Sequence, residues 1–376
     1  DSIADKTLAM IKGAMDELVV GNPIALDTDI GPVIDTEAQQ NLLAHINRMK
    51  GIAKSYHEIR PSENVNPDNA TFVAPIMFEL NGLGELQREV FGPVLHVVRY
   101  PADGLDKLID QINGKGYALT HGVHSRIDGT VEHIRSRIES GNVYVNRNIV
   151  GAVVGVQPFG GHGLSGTGPK AGGSFYLQRL SRLKEWTAPT LSKIGQVDEA
   201  ALKRLETLLH GLPLPQSEKM AAAASLGQSR VRTLRKAESV LSGPTGERNV
   251  LSWHAPARVW LYGGSLAASF TALVSLASAG VQAVVLPDHP LAAYADRLDG
   301  LLAVTDKPEA AGISHVAALE PLPSARKQVL ANRDGALVRI LPSENGLDIL
   351  QVFEEISCSI NTTAAGGNAS LMAMAD

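Results

Sequence analysis

Two segments of the sequence combine residue types that could bind a small ligand. The first is the stretch 89–93 (Glu-Val-Phe-Gly-Pro), which precedes an apolar run. The Gly-Pro pair fixes a turn, so Glu89 and Phe91 can project to one side of the entrance to a strand. A carboxylate accepts hydrogen bonds from ribose hydroxyls, and an aromatic ring packs on a flat heterocycle. The alternative is an exposed turn glutamate beside a phenylalanine of the core.

The second segment is the glycine-rich stretch 148–173, in which nine of 26 residues are glycine. Glycine allows positive φ angles and a close approach of the backbone to a ligand. Successive backbone N–H groups can also form a nest for an anion such as a carboxylate. The alternative interpretation is a structural Ω-loop.

Two further glycine patterns are weaker candidates for nucleotide binding. The stretch 161–166 satisfies G-x-G-x-x-G, but no strand leads tightly into it and Pro169 disfavours a following helix. The dinucleotide fingerprint requires strand, turn and helix together, so we reject this site. Gly263-Gly264 is better placed, with Asp288 at the end of the next strand, but it lacks the third glycine. We favour a doubly wound domain without a ligand there.

The elements that position these segments fall into three stretches of different character: 1–187, 188–245 and 246–376. The first and last alternate helical and β-rich patterns. The middle stretch is rich in Ala, Lys, Arg and Leu and predicts helices at 198–209 and 218–241. In the last third, strands at 258–262 and 281–286 flank a helix at 265–279, which predicts a parallel βαβ unit. The pattern indicates an α/β fold.

Composition excludes several classes of protein. The 376 residues carry a net charge of -5, which argues against a binder of nucleic acid or anionic membranes. A single cysteine, Cys358, excludes an internal disulfide framework, and we expect it on an alternating strand in a structural role. The 11 histidines show no ligand spacing, so no metal is expected. No segment reaches the length of a spanning helix, and 265–285 reads as a buried helix followed by a strand.

A weak internal repeat links the two ends of the sequence. The stretch 98–106 resembles 338–348, and 143–146 resembles 358–361, in the same order. The shared order suggests that the last third is a degenerate copy of the first.

The sequence begins within a helical pattern at Thr7 to Leu18, without an initiator methionine or the features of a signal peptide. We therefore expect a fragment of a longer protein.

Several motifs resemble the aldehyde dehydrogenase family. They are Gly21-Asn22-Pro23 leading to 31–35 (Gly-Pro-Val-Ile-Asp), the stretch 89–93, and 158–161 (Pro-Phe-Gly-Gly) with Ser165-Gly166. Within this family, the stretch 151–161 is similar to the aldehyde anchor loop of L-glutamate γ-semialdehyde dehydrogenases. The stretches 245–249 and 361–372 resemble the C-terminal extension of the proline utilization A family. Its bifunctional members join an FAD-dependent proline dehydrogenase to this NAD-dependent dehydrogenase.

The resemblance implies a fold and a set of roles. The fold would be the C-terminal part of an aldehyde dehydrogenase catalytic domain (1–187), a helical linker region (188–245) and a second, Rossmann-like α/β domain (246–376). Glu89 would bind the nicotinamide ribose of NAD, and Phe91 would pack near the nicotinamide. The amides of Gly151 and Ala152 would hold the α-carboxylate of the aldehyde, and Phe159 would wall its pocket.

The resemblance also implies what this chain lacks and what it needs. The nucleophilic cysteine, the general base and the adenine-binding unit are expected upstream of Asp1, so no catalytic residue is assigned here and the isolated fragment is expected to be inactive. The implied partners are L-glutamate γ-semialdehyde, the upstream part of the same polypeptide and further copies in a homo-oligomer. Nucleic acid would bind only if the parent carries an N-terminal DNA-binding segment. The implied location is cytoplasmic or peripheral to the inner membrane.

Two hypotheses for the chain as a whole remain open at this point. In the first, it is part of a dehydrogenase, supplying the substrate anchor and half of the nicotinamide site. In the second, it is a non-catalytic interaction module dominated by residues 190–376. A tail strand at 356–361 would then cover a cavity through which an intermediate moves.

Overall fold

A computed structural model describes residues 2–60, 70–181, 186–229 and 232–363. The compact units are residues 1–115 and 116–376, a division at a different place from the sequence-based boundaries. Most of the C-terminal motif, 364–372, lies outside the described residues.

In its described residues, the first unit contains three α-helices and a three-stranded sheet of order β1-β2-β3. The elements are α1 (Ala4–Asp16), α2 (Thr36–Lys50), β1 (Ser55–Glu58), β2 (Ile76–Leu80), β3 (Val94–Val98) and α3 (Leu105–Asn113). Strand β2 pairs with β1 antiparallel and with β3 parallel. Because β2 is central, both of its faces are covered: Phe78 belongs to the core cluster of α2, and Met77 to that of α1.

Helix α2 begins where the sequence provides a cap. The Asp35 carboxylate accepts a hydrogen bond from the Ala38 amide at 2.8 Å, which satisfies one of the free N–H groups of the first turn. Leu42, Ile46 and Met49 then recur at helical spacing and are buried. The cap and the apolar stripe together hold the helix against β2.

The second unit contains two five-stranded sheets and a two-stranded ribbon formed by β4 and β7. Its first elements are β4 (Tyr117–Ala118), β5 (Thr120–Val123), α4 (Asp128–Arg137), β6 (Asn142–Val145), β7 (His162–Gly163), α5 (Tyr176–Leu180), α6 (Glu199–His210) and α7 (Gln216–Ser229). The remaining elements are β8 (Glu238–Leu241), β9 (Glu247–His254), β10 (Arg258–Tyr262), α8 (Leu266–Ser278), β11 (Gln282–Val285), β12 (Leu302–Val304), β13 (His315–Ala318), α9 (Ser324–Ala331), β14 (Arg339–Pro342) and β15 (Glu354–Asn361).

One sheet, of order β12-β11-β10-β13-β14, is parallel throughout. On β10, Val259 and Leu261 belong to the core cluster that contains α8, whereas Trp260 belongs to the cluster that contains Leu330 of α9. Helices therefore cover both faces, as in doubly wound folds. This confirms the predicted parallel βαβ unit and the buried helix with its following strand.

The other sheet has the order β5-β6-β15-β9-β8 and joins distant parts of the sequence. Strand β15 is central, parallel to β6 and antiparallel to β9. The two copies of the second repeat lie side by side in register, with Cys358 opposite Val143 and Ile360 opposite Val145. The stretches 116–187 and 246–376 therefore share this sheet.

Two details of the secondary structure differ from expectation. The predicted helix at 218–241 ends by Ser229, and 238–241 forms the edge strand β8, because its backbone groups pair with β9. Cys358 does not lie on an alternating strand: 355–359 are all buried, because both faces of β15 are covered. Ser359 contacts Arg147 and Gln157, whereas Cys358 lies beside Arg135 of α4.

Candidate functional site

Glu89 and Phe91 border the same open cavity of about 280 Å³ in the first unit. Residues of α2, including Asn41, Leu42 and His45, form its other side. Phe91 is 91% exposed, so the alternative of a core phenylalanine is wrong. An exposed carboxylate and an uncovered aromatic ring thus share one cavity wall with a polar amide opposite them.

The turn that carries these residues sits directly on α2. A Cβ atom built on Gly92 would lie 2.6 Å from both methyl carbons of Leu42, a distance that side chains do not reach. Glycine at this position therefore lets the loop approach the helix and fixes where Glu89 and Phe91 emerge.

A histidine pair beneath this cavity was not anticipated from the sequence. Nε2 of His45 and Nε2 of His96 are 2.9 Å apart, so one ring donates and the other accepts. Burial, together with the charges of Arg48 and Arg88, lowers the pKa of His45. Burial also lowers the pKa of His96 to about 4. The two histidines are 51 positions apart and gave no spacing signal, because their contact depends on the packing of α2 against β3.

In the second unit, the glycine-rich segment contains a loop whose backbone is held from both sides. The Tyr144 hydroxyl donates to the Gly151 carbonyl at 3.0 Å, and the Val153 amide donates to Gln157 Oε1 at 3.0 Å. Gly151 has a φ of 72°, a conformation that favours glycine. Across the residues that the structure describes, the Gly151 and Ala152 amides donate to no other group. Two adjacent N–H donors are therefore available to an anion.

Phe159 lies in the same segment and is half-buried. Its amide donates to the Ala171 carbonyl at 3.0 Å, and the Ala171 amide returns a bond to the Phe159 carbonyl at 2.9 Å. The structure thus places Gly151, Ala152 and Phe159 in one loop system, whereas Glu89 and Phe91 belong to the other unit. The roles of these five residues remain predictions.

Buried polar side chains from strands β9 and β15 support this loop. Gln157 is 3% exposed, and its amide nitrogen lies 2.7 Å from Glu247 Oε1 and 3.1 Å from Ser359 Oγ. Arg147 also donates to Glu247 and to Ser359. This network leaves no local pattern in the sequence, because its members are up to 212 residues apart.

The single cysteine is not suited to attack a carbonyl. Cys358 is 2% exposed in the centre of a sheet, and burial raises the pKa of its thiol to about 11. A nucleophilic cysteine requires the thiolate form and access to substrate. The structural role expected for Cys358 is consistent with this environment.

Neither glycine pattern forms a nucleotide site of the usual kind in the described residues. The stretch 161–166 contains the two-residue strand β7, and no helix follows it directly. Gly263 and Gly264 lie between β10 and α8 with φ angles of 67° and 90°. The Glu320 side chain packs so closely on Gly263 that a Cβ there would clash with it. The Glu320 side chain thus lies directly over the backbone of this turn.

The described part of the chain contains no metal site and no membrane-spanning helix. No three His, Cys, Asp or Glu residues are grouped so that they could hold a metal ion. None of the helices there combines the length and apolar character needed to cross a bilayer.

Comparison with known proteins bears directly on both segments. The Aldehyde dehydrogenase family profile matches residues 1–186. Bifunctional protein PutA of Escherichia coli is 42% identical over 398 residues, covering 99% of this chain and 30% of that protein. 1-Pyrroline-5-carboxylate dehydrogenase 1 of Halalkalibacterium halodurans is 34% identical over 179 residues, covering 47% of this chain and 33% of that protein.

A solved structure extends the likeness to the fold of nearly the whole chain. Proline utilization A from Corynebacterium freiburgense superposes with a TM-score of 0.67 at 22% identity, covering 94% of this chain and 34% of that one. The chain spans about 30% of the length of the PutA relatives that it matches. Residues 1–186, on an α/β fold, belong to the aldehyde dehydrogenase family.

Proposed function

We propose that this chain forms part of an NAD-dependent L-glutamate γ-semialdehyde dehydrogenase, which oxidises the aldehyde to L-glutamate in proline catabolism. The proposal draws on the names of the relatives, a bifunctional PutA and a 1-pyrroline-5-carboxylate dehydrogenase. The parent protein would also carry an FAD-dependent proline dehydrogenase. Its proposed partners are the rest of that polypeptide and a second copy of the chain.

The observation that carries the proposal is the pair of available amides at Gly151 and Ala152. Tyr144 holds the Gly151 carbonyl and Gln157 holds the Val153 amide, so the backbone between them is fixed before a ligand arrives. A carboxylate accepts hydrogen bonds from two adjacent N–H groups. This arrangement suits an aldehyde that carries an α-carboxylate.

The cavity beside Glu89 and Phe91 fits the ribose and nicotinamide of NAD. NAD⁺, when bound, accepts the hydride from the substrate. The Glu89 carboxylate would accept hydrogen bonds from the ribose hydroxyls, and the exposed Phe91 ring would pack against the nicotinamide. The volume of about 280 Å³ is at the lower end for small-ligand sites, which suits one half of a dinucleotide.

The thiol and the general base would come from the part of the protein outside this chain. Cys358 is buried and its thiol pKa is raised, so it does not compete for the nucleophile's role. In this proposal the chain itself orients the aldehyde and the ribose, and it walls the pocket with Phe159.

The test uses the full-length parent protein and two aldehydes. L-Glutamate γ-semialdehyde carries the α-carboxylate, whereas butanal keeps the aldehyde and the three carbons behind it but lacks the carboxylate and the amino group. Replacing Ala152 by Pro removes one N–H donor, so we expect kcat/KM for the semialdehyde to fall by about tenfold or more, with a smaller effect on butanal. Val154→Pro in the exposed part of the loop is the control. An equal loss on both aldehydes would contradict the carboxylate-anchor role.

A second role follows from the central position of β15. The resemblance to the proline utilization A family implies a segment that dimerises by adding to a neighbour's sheet, and we propose that β15 takes that place within one chain. In that role the tail would cover a cavity through which an intermediate passes between sites. Its place between β6 and β9 supports the first part.

Deleting 355–376 from the full-length protein tests this second role. We expect coupled proline-to-glutamate flux to fall, with proline dehydrogenase activity as the internal control. Unchanged flux would contradict the covering role. If the full-length protein binds no NAD⁺ at all, the interaction-module hypothesis would replace the dehydrogenase proposal.

A further inference from the structure

Lys170 is a lysine that the fold buries almost completely. It is 2% exposed, and its ammonium donates to Asn142 Oδ1 at 2.8 Å and to the Gly160 carbonyl. Buried lysines are rare unless they are paired. A buried ammonium whose hydrogen bonds go to one side-chain oxygen and one backbone carbonyl therefore calls for an explanation. None of the roles assigned above uses it.

Asn142, at the start of β6, completes the arrangement around the same backbone. It is 1% exposed; its amide nitrogen donates to the Pro158 carbonyl at 2.9 Å, and its Oδ1 accepts from the Gly160 amide at 3.2 Å. With the bond from Lys170 to the Gly160 carbonyl, three backbone polar groups are held. The Pro158 carbonyl comes directly before Phe159 and the Gly160 amide directly after it. The backbone that carries the Phe159 ring is therefore held on both sides.

Gly141 shows how close this approach is. A Cβ atom built there would clash with the Gly160 carbonyl oxygen and would lie 3.0 Å from Lys170 Nζ. The backbone of Gly160 and the ammonium therefore lie directly over the start of β6. Only a residue without a side chain leaves room for both.

The segment that carries Lys170 is itself fixed by Glu355 of β15. The carboxylate accepts hydrogen bonds from the Lys170 amide and the Ser174 amide, each at 2.9 Å. Glu355 is 5% exposed, and a Cβ on Gly173 would lie 2.7 Å from both of its oxygens. Glu355 thus holds the backbone of the segment from which the Lys170 side chain extends to Gly160.

The charges around Lys170 come from several elements. Glu355 and Glu354 of β15 supply negative charge, and His162 of β7 and Arg339 of β14 line the same small cavity. Burial lowers the pKa of Lys170 to about 7, although both glutamates act in the opposite direction. Burial also raises the pKa of Glu354 and of Glu355.

We propose that Lys170 and Asn142 are positioning residues, which hold the backbone on both sides of Phe159 and thereby fix the wall of the aldehyde pocket. This inference rests on the proposed role of Phe159. It concerns substrate binding more than chemistry, because neither side chain is assigned to the reacting atoms. Loosening the backbone would move the ring and weaken binding of the aldehyde.

The experiment uses the full-length protein with Lys170→Met, which keeps the length of the side chain and removes the ammonium. We expect KM for L-glutamate γ-semialdehyde to rise by about tenfold while kcat changes by less than about twofold. Amide hydrogen exchange at 159–161 should accelerate at the same time. Lys193→Met is the matched control, because that lysine pairs with Glu238 at 3.3 Å on the surface of the same unit.

A second variant keeps the proposal testable if Lys170→Met fails to fold. Asn142→Asp retains an acceptor for the ammonium and removes the donor to the Pro158 carbonyl, so we expect an intermediate rise in KM and faster exchange at 159–161. Unchanged KM and unchanged exchange in a folded variant would overturn the proposal. If the wild-type protein does not oxidise the semialdehyde, the proposed function fails, whereas the exchange data still decide whether Lys170 and Asn142 hold this backbone.

Discussion

The side-chain amide of Gln157 donates to Glu247 Oε1 at 2.7 Å, across 90 residues of sequence. The other end of the Gln157 amide accepts from the Val153 backbone, two residues after the available amide of Gly151. A carboxylate on β9 therefore orients the glutamine that shapes the candidate anchor loop. The loop depends on a strand from the second half of the chain.

Replacing Glu247 by Gln should disturb both the loop and the fold. Gln157 and the mostly buried Arg147 would lose their charged acceptor, so we expect the free energy of unfolding to fall by on the order of 2 kcal/mol. KM for the aldehyde should rise more than KM for NAD⁺. Urea unfolding and steady-state kinetics of the full-length protein measure these effects. Ser252→Ala on the same strand is the control, since its hydroxyl donates a long hydrogen bond to the Ile356 carbonyl, at 3.5 Å.

Replacing Phe91 by Ala should affect cofactor binding without affecting the fold. The ring is 91% exposed, so its removal leaves no cavity in the core, and we expect Tm to stay within about 2 °C. The dissociation constant for NAD⁺ should rise by about tenfold, as measured by calorimetry on the full-length protein. Tyr56→Ala, another exposed aromatic of the same unit, should leave NAD⁺ binding unchanged. Equal effects of the two variants would argue against the cavity as the nicotinamide site.

The His45–His96 pair predicts acid sensitivity of the first unit. Burial lowers the pKa of His96 from 6.5 to about 4, so below pH 6.5 the unfolded chain binds protons that the folded protein does not. Stability should therefore be greatest above pH 6.5 and decrease as the pH falls toward 4. His96→Gln should make Tm less dependent on pH in this window. His57→Gln, at a ring that contacts Asp16, provides the comparison, and an unaltered slope in His96→Gln would refute the assignment.

Gly263→Ala should be destabilising for two separable reasons. Its φ of 67° strains any residue with a Cβ, and that atom would also clash with Glu320. Gly300, with a φ of 76° and no neighbour within 4 Å, isolates the backbone effect, so Gly300→Ala should cost about 1 kcal/mol. We expect Gly263→Ala to cost about 2–3 kcal/mol in urea unfolding, part of it recovered with Glu320→Ala. An equal loss of unfolding free energy in Gly263→Ala and Gly300→Ala would show that the Glu320 side chain moves away from the new methyl group without cost.

Cys358→Ala should leave aldehyde oxidation by the full-length protein within about twofold of the wild type, because the thiol is 2% exposed and not ionised. A thiol reagent should modify Cys358 only when the protein unfolds. Mass spectrometry after brief labelling under native conditions measures this directly. Rapid labelling under those conditions would contradict the burial of the strand.

Local sequence patterns predicted those helices and strands whose formation depends mainly on their own residues. The strand at 258–262, its glycine turn and the following helix agree with expectation, since apolar periodicity and a Ser265 cap are properties of a short segment. The strand at 238–241 could not be recognised, because pairing with β9 overrides a composition that favours helix. Asn142 and Lys170 gave no signal at all. Their contact spans 28 residues and exists only once β6 and the glycine-rich loop have packed.

The in-register pairing of β6 with β15 ties the order of translation to the completion of the fold. Asn142 lies opposite Ser357, so the ribosome adds 215 residues before β6 acquires its second neighbour. Until then β6 has a bare edge and β9 lacks its central partner, a state in which nascent chains are prone to incorrect strand pairing. Glu355 lies on the same strand, so the Lys170 amide lacks its hydrogen-bond acceptor until that strand has been synthesised. A chain that ends before Glu354 would therefore leave β6 and β9 without the strand that joins them, and we expect this unit to be the part of the protein that misfolds.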